Sequence, residues 1–178
     1  PYASKNINNV WYYENSNANN NPDFNFIKDD FIQNSMIDVG EGAKPVFFDH
    51  NSDGLMDIVI GNHGVYEENN ILLFESSLYL YENIGTSNVP VYQLVDTNYS
   101  GLSSLILNLD SNRRTLGLTP TFGDLDNDND LDMLVGDYNG YIHYFTNTAG
   151  AGNTAVFNLT QAHYLHINVG SNASPFLY

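Results

Sequence analysis

The stretch Asp124-Leu-Asp126-Asn-Asp128-Asn-Asp130-Leu-Asp132 places a carboxylate at every second position over nine residues. So many like charges in one short segment repel one another unless a cation lies among them. A loop that offers side-chain oxygens at positions 1, 3, 5 and 9 and a backbone carbonyl at position 7 can wrap one hard ion, the arrangement that Ca²⁺ prefers. On that register Asp124, Asp126, Asp128 and Asp132 are the expected side-chain ligands, and the carbonyl of Asp130 completes the set. The same register occurs upstream in Asp49-His-Asn51-Ser-Asp53-Gly54-Leu55-Met-Asp57, where Asn51 supplies an amide oxygen and Leu55 the carbonyl. Two Ca²⁺ sites are therefore expected.

An EF-hand opens in the same way but needs a bidentate Glu at position 12 and a helix on each side. Position 12 is Ile60 in one copy and Val135 in the other. The flanks 44–48 and 56–61 are short and rich in β-branched and aromatic residues, which reads as strand. Each ion is thus expected in the loop of a β-hairpin. Position 6 has to turn sharply; Gly54 does so without a steric penalty, and Asn129 tolerates the left-handed region better than other side chains.

The chain has 178 residues, enough for a real core, and its 13% aromatic and 15% charged content favours folded β structure over disorder. The formal charge is −16, and eight of the 21 acids fall in the two loops. Two bound Ca²⁺ would cancel about four units of it. With only five Lys plus Arg and no basic stripe, nucleic-acid binding has no electrostatic footing. Cys is absent, so disulfides, thiol chemistry and thiolate metal sites are excluded. No apolar run approaches the roughly 20 residues of a membrane helix, so direct membrane insertion is not expected. Low-affinity Asp loops are most useful where calcium is millimolar, so a secreted or surface protein is expected.

Internal similarity decides the fold. Val10-Trp-Tyr-Tyr-Glu-Asn15, Tyr79-Leu-Tyr-Glu-Asn83 and His143-Tyr-Phe-Thr-Asn147 are aromatic strands that end on Asn. A polar turn and a second strand follow each, at 22–27, 90–95 and 155–160, and then Phe31, Tyr99 and Tyr164 at one common distance from Phe24, Tyr92 and Phe157. A further aligned group is Lys44-Pro45-Val-Phe-Phe-Asp49, Thr119-Pro120-Thr-Phe-Gly-Asp124 and Ser174-Pro175-Phe-Leu-Tyr178. The three Asn are spaced by 68 and 64 residues, room for four short strands and their loops. Four strands at a fixed period read as the blade of a β-propeller.

The expected fold is therefore all-β, a partial β-propeller of four-stranded antiparallel blades with calcium-binding hairpin loops. Residues 1–40 are expected to be the closing half of a preceding blade with its connection, 41–100 a blade with an insertion at 65–77, 101–170 a second blade with its leading connection, and 171–178 the first strand of a following blade. Alternating strands put both metal loops on one face and the insertion and the 101–116 connection on the other. Tyr66, Glu67, Glu68, Arg113 and Arg114 are the candidate contact residues there, although Ile71-Leu-Leu-Phe74 also reads as an extra hairpin strand packed on the rim. Two complete units and a half at each end do not close a ring of four to eight blades, so the remaining blades are expected elsewhere in a larger chain.

At Phe122-Gly123, Asp124 to Asp132, Met-Leu-Val-Gly136 and Tyr141 to Asn147 the sequence resembles the FG-GAP or VCBS repeat family, the blades of integrin-α-like propellers. The first unit matches with Phe48 in place of Gly123. The wording Gly123-Asp-Leu-Asp-Asn-Asp and Tyr144-Phe145-Thr-Asn147 is similar to repeats of secreted Bacteroidota surface proteins exported by the type IX secretion system. The resemblance implies a surface or extracellular binding, adhesion or scaffold module and no particular ligand; the loop topology places an expected protein or glycan ligand on the face away from calcium, and secretion machinery is the other expected partner.

Catalytic signals are few. There is no G-x-S-x-G elbow and no Gly-rich phosphate loop. His163 and His166, three apart, would point to opposite faces of a strand, and His50 at the second loop position points away from the ion. Glu67, Glu68, Glu75 and Glu82 leave paired-carboxylate chemistry open. Tyr138, Tyr141 and Tyr144 are either a sugar-stacking platform or packing between blades, and packing is favoured. A non-catalytic module is the leading expectation; its rivals are a calcium-dependent propeller enzyme such as a polysaccharide lyase, and a passenger caught with its secretion machinery.

Overall fold

In a computed structural model the described residues are 10–17, 21–29, 31, 36–66, 74–104 and 116–178. They divide into two units, 1–38 and 39–178. In the first, β1 (Tyr12–Asn15) and β2 (Phe24–Lys28) form an antiparallel hairpin. Tyr12 stacks on Phe31 at 4.7 Å, and Trp11 and Tyr13 meet Phe26 edge to face.

The second unit holds two four-stranded antiparallel sheets. One is ordered β3 (Lys44–Phe48), β4 (Asp57–Gly61), β7 (Leu78–Asn83), β8 (Tyr92–Asp96), with a two-stranded ladder of β5 (Val65–Tyr66) and β6 (Phe74–Glu75) between β4 and β7 in sequence. The other runs β9 (Thr119–Gly123), β10 (Asp132–Gly136), β11 (Ile142–Asn147), β12 (Phe157–Gln161). Among the described residues the regular structure is all-β apart from short 3₁₀ turns at Tyr99–Ser104 and Tyr164–His166. The two prolines in strands, Pro45 and Pro120, lie on the edge strands β3 and β9, where a missing N–H breaks no interior ladder.

The core lies between the sheets. Phe48, Val59, Leu78 and Leu80 of the first cluster with Met133, Val135 and Phe145 of the second, closed off by Tyr99, Leu102, Leu118, Ala155 and Phe157. Each large apolar side chain taken fully from water there contributes about 1.5–3 kcal/mol. Phe48 stacks on Phe122 with ring centroids 4.1 Å apart and planes 9° apart. Every residue of β10 is buried, as befits an inner strand covered on both faces, whereas β8 and β12, at the outer edges, are mostly exposed.

Contacts between successive segments recur. Leu118 N donates to Asn62 O at 3.0 Å, and Ala173 N donates to Asp137 O at 2.9 Å. Gly61 ends β4 so close to the next segment that a Cβ would lie 2.1 Å from Leu118 O; at Gly136 it would lie 2.1 Å from Ala173 O. The corresponding strands β1, β7 and β11 share one irregularity as well. The register shifts between Tyr12 and Tyr13, Leu80 and Tyr81, and Tyr144 and Phe145, in each case three residues before the terminal Asn.

Residues 171–178, expected as the first strand of a following blade, pair with no strand among the described residues; Asn172 N donates to Tyr138 O and Ala173 N to Asp137 O, both at 2.9 Å, and Leu177 N to Thr121 Oγ1 at 3.3 Å. One expectation changes. His163 and His166 flank a 3₁₀ turn rather than sitting in a strand, because His163, Leu165 and His166 all have positive φ (54°, 50° and 56°). Of the candidate contact residues, Tyr66 lies in β5, and Glu67, Glu68, Arg113 and Arg114 lie outside the described residues, as does Ile71-Leu72-Leu73.

Candidate metal centre

Both acidic stretches are hairpin loops between paired strands: 49–56 joins β3 to β4, and 124–131 joins β9 to β10. Each is folded by its own carboxylates. In the first loop Asp49 Oδ1 accepts from Asp53 N at 3.2 Å and Oδ2 from Gly54 N at 3.0 Å. In the second, Asp124 Oδ1 accepts from Asn127 N at 2.7 Å and Oδ2 from Asn129 N at 3.2 Å. Position 6 is left-handed in both, Gly54 at φ 85° and Asn129 at φ 71°, and so is position 4, Ser52 at 59° and Asn127 at 66°. The sequence reading marked position 6 and missed position 4.

The position-9 acids lie deeper. Asp57 and Asp132 are fully buried at the start of the second strand of each hairpin. Asp57 Oδ2 accepts from His50 N at 2.9 Å and Oδ1 from Asn83 N at 2.8 Å. Asp132 repeats this on Leu125 N at 3.1 Å and Asn147 N at 2.9 Å, and also accepts from the Tyr144 hydroxyl at 2.9 Å. Burial and that contact push the Tyr144 phenol up to about 12. Each acid thereby ties its own loop to the far end of the third strand.

The Asn at that far end continues the chain of bonds. Asn83 Oδ1 accepts from Gly85 N and Val91 N, both at 3.1 Å; Asn147 Oδ1 accepts from Ala149 N at 3.2 Å and Val156 N at 2.9 Å; Asn15 Oδ1 accepts from Asn17 N at 3.1 Å and Asp23 N at 3.0 Å. One amide oxygen thus pins the turn into the next strand in all three places. The recurrence of Asn was legible in the sequence; its task was not.

Asp124, Asp126 and Asp128 bring carboxylate oxygens within 4.8 Å of one another, close enough to hold a metal ion. The Asp126 carboxyl is raised above its ordinary value by loss of water in the crowded loop and then by the charges of Asp132 and Asp128. In the first loop, Asn51 Oδ1 accepts from Asp53 N at 3.1 Å, Asn51 Nδ2 donates to Asp53 Oδ2 at 3.0 Å, and Leu55 N donates to Asp53 Oδ1 at 2.7 Å. There Asp49, Asp53 and Asp57 do not form a comparable carboxylate cluster among the described residues.

Asp130 is the residue whose backbone carbonyl is the expected ligand; its side chain is buried, with Oδ2 accepting from Gly150 N at 3.0 Å and Oδ1 meeting no donor. Burial first, and then the Asp128 charge, raise its carboxyl above the ordinary range. The residues that could hold a metal ion are thus Asp124, Asp126 and Asp128, and the buried Asp130 Oδ1 is a separate oxygen that meets no donor.

The histidines have structural surroundings. His50 Nδ1 shares a hydrogen bond with Tyr99 OH at 2.8 Å. His143 and Asp137, both inaccessible to solvent, meet at 3.1 Å, while His163 stacks on Tyr141 at 3.8 Å. The sequence reading overlooked the His143–Asp137 pair; its complete burial denies a substrate access. Tyr144 is buried and Tyr138 meets His63 edge to face at 5.3 Å.

These features define an all-β protein of antiparallel four-stranded sheets, with one hairpin loop, 124–131, carrying a carboxylate cluster able to hold a metal ion. Comparison with protein-family models, with curated proteins and with solved structures returned no match.

Proposed function

We propose that the chain is a calcium-stabilised, non-catalytic binding or scaffold module of the extracellular space or a bacterial surface, built as successive blades of a β-propeller. The observation that carries this reading is the loop 124–131, where Asp124, Asp126 and Asp128 converge and the buried Asp130 Oδ1 has no donor. The propeller part is supported by the way one sheet is laid on the next: the Gly61–Leu118 and Gly136–Ala173 approaches and the paired backbone bonds beside them follow one pattern. Calcium here is a staple. It neutralises clustered acids, fixes a hairpin turn and couples folding to the calcium of the surroundings. The ligand, a protein or a glycan, belongs to the face away from the loops, where loops on a rigid scaffold are free to vary.

Native mass spectrometry of the full chain in millimolar calcium tests the reading. Two bound Ca²⁺ per chain, lost on chelation, are expected. A spectrum that shows only the metal-free mass would overturn the staple.

A further inference from the structure

The two sheets fill one buried position differently. In the first, Asn62 lies fully buried just past β4; its Oδ1 accepts from Ser77 N at 2.8 Å and its Nδ2 donates to Val39 O at 2.6 Å. Asp137 holds the same place just past β10, and its Oδ1 accepts from Tyr141 N at 2.9 Å. An aspartate side chain has no amide N–H to give, so its second oxygen takes a donor instead: Nε2 of the equally buried His143 stands 3.1 Å from Oδ2. The other ring nitrogen, His143 Nδ1, is faced by the backbone N–H of His163 at 3.4 Å. A backbone N–H only donates, so Nδ1 is the acceptor, and the ring is neutral with its one proton on Nε2.

The Nδ1 bond secures the first residue of a turn that is held against local preference. His163, Leu165 and His166 all carry positive φ, which is unfavourable for side chains of this size. Past the turn the chain runs back along 137–141: Tyr141 bridges Asn168, and Val169 N donates to Gly140 O at 2.9 Å. A proton taken up at Nδ1 turns the acceptor into a second donor, and two N–H groups then oppose each other beside a fully buried ring. We propose that His143 is an acid-sensitive latch: a proton on Nδ1 expels the His163 N–H, and the turn 163–166 opens away from the second sheet. Asp137 Oδ2 still accepts from Nε2, so β11 keeps its place while the turn gives way. The other titratable groups around the ring are Tyr141, stacked on His163 at 3.8 Å, His163 itself, its ring centre 5.6 Å from that of His143, and Tyr144, Tyr164 and His166. A proton on His163 adds like-charge repulsion and acts in the same direction. β9 and β12 carry no titratable side chain, and β10 sets Val135 opposite His143. The first sheet has Tyr79 at the position of His143, so the latch is confined to the second sheet, and it does not depend on calcium.

Amide hydrogen exchange on the full chain tests the latch, followed by NMR at about pH 7.5 and about pH 5.5, across the range where histidines change charge, and corrected for the intrinsic pH dependence of exchange. The His166 and Ile167 amides, bonded within the turn to His163 O and Tyr164 O, are expected to lose at least about tenfold in protection at the lower pH, the factor that one pH unit of linked protonation supplies. His143→Gln, which does not titrate, is expected to keep its protection constant, and His163→Phe, which leaves a ring over Tyr141, to show the same loss as wild type. Wild-type protection unchanged by pH, an undiminished loss in His143→Gln, or a loss that disappears in His163→Phe would each overturn the latch. Where a variant does not fold, the nitrogen shifts of the wild-type imidazole decide: His143 Nδ1 is expected to be without a proton at about pH 7.5 and to gain one in step with the loss of protection. A proton on Nδ1 while the turn stays protected would overturn the proposal.

Discussion

Asn83 and Asn147 carry more of the fold than their size suggests. Each is buried and each holds two backbone N–H groups with one oxygen. Asn83→Ala leaves Gly85 N and Val91 N without that acceptor, and a loss of about 2–3 kcal/mol is expected in urea unfolding. A loss under 0.5 kcal/mol would show that water replaces the amide freely. The alternate acids of 124–132 were legible because a charge pattern is visible in one dimension. The burial of the Asp130 side chain against Gly150 N was not, since it depends on a residue 20 positions away arriving beside it. His50 gives a pH prediction. Burial, the largest cause, lowers its pKa below the ordinary histidine value of 6.5. The unfolded chain then protonates first as pH falls, so the stability present above about 6.5 is lost on acidification through the window below it. His50→Gln is expected to flatten that part of the unfolding profile, and an unaltered slope would assign it to the carboxylates.

At the level of strands and turns, two glycines separate two physical reasons for the same residue. A Cβ on Gly61 would meet Leu118 O at 2.1 Å, so Gly61→Ala must push the next segment away. A cost of about 3 kcal/mol or more in urea unfolding is expected. Gly54, at φ 85°, has nothing within 4 Å of such an atom. Gly54→Ala therefore carries backbone strain alone, about 1–2 kcal/mol. Equal costs for the two would refute this division. The strands themselves were legible from aromatic and β-branched alternation, to within about two residues at their ends. The shared register shift was not, because it follows from how two strands pair and leaves no mark in either one. The turn at Tyr164–His166 was missed for a related reason: three non-glycine residues adopt positive φ there, against their local preference.

For the whole molecule, a formal charge of −16 sets self-repulsion against the packing of two sheets. The core joining those sheets includes Phe48, Phe122 and Phe157, whose rings meet at 4.1 to 5.9 Å. The all-β class and the four-stranded sheets were readable from the period of the sequence. Calcium bound in the acidic loops, as proposed, relieves that repulsion, so the intact chain is its own reporter. The most direct measurement is its thermal melt in millimolar CaCl₂ and in EDTA, with ionic strength matched so that simple screening is equal in both. Calcium at about 100 times its Kd stabilises by about 2.7 kcal/mol per site, and a midpoint raised by about 5–10 °C is expected. A midpoint that stays the same in both buffers would contradict the staple and, with it, the proposed module.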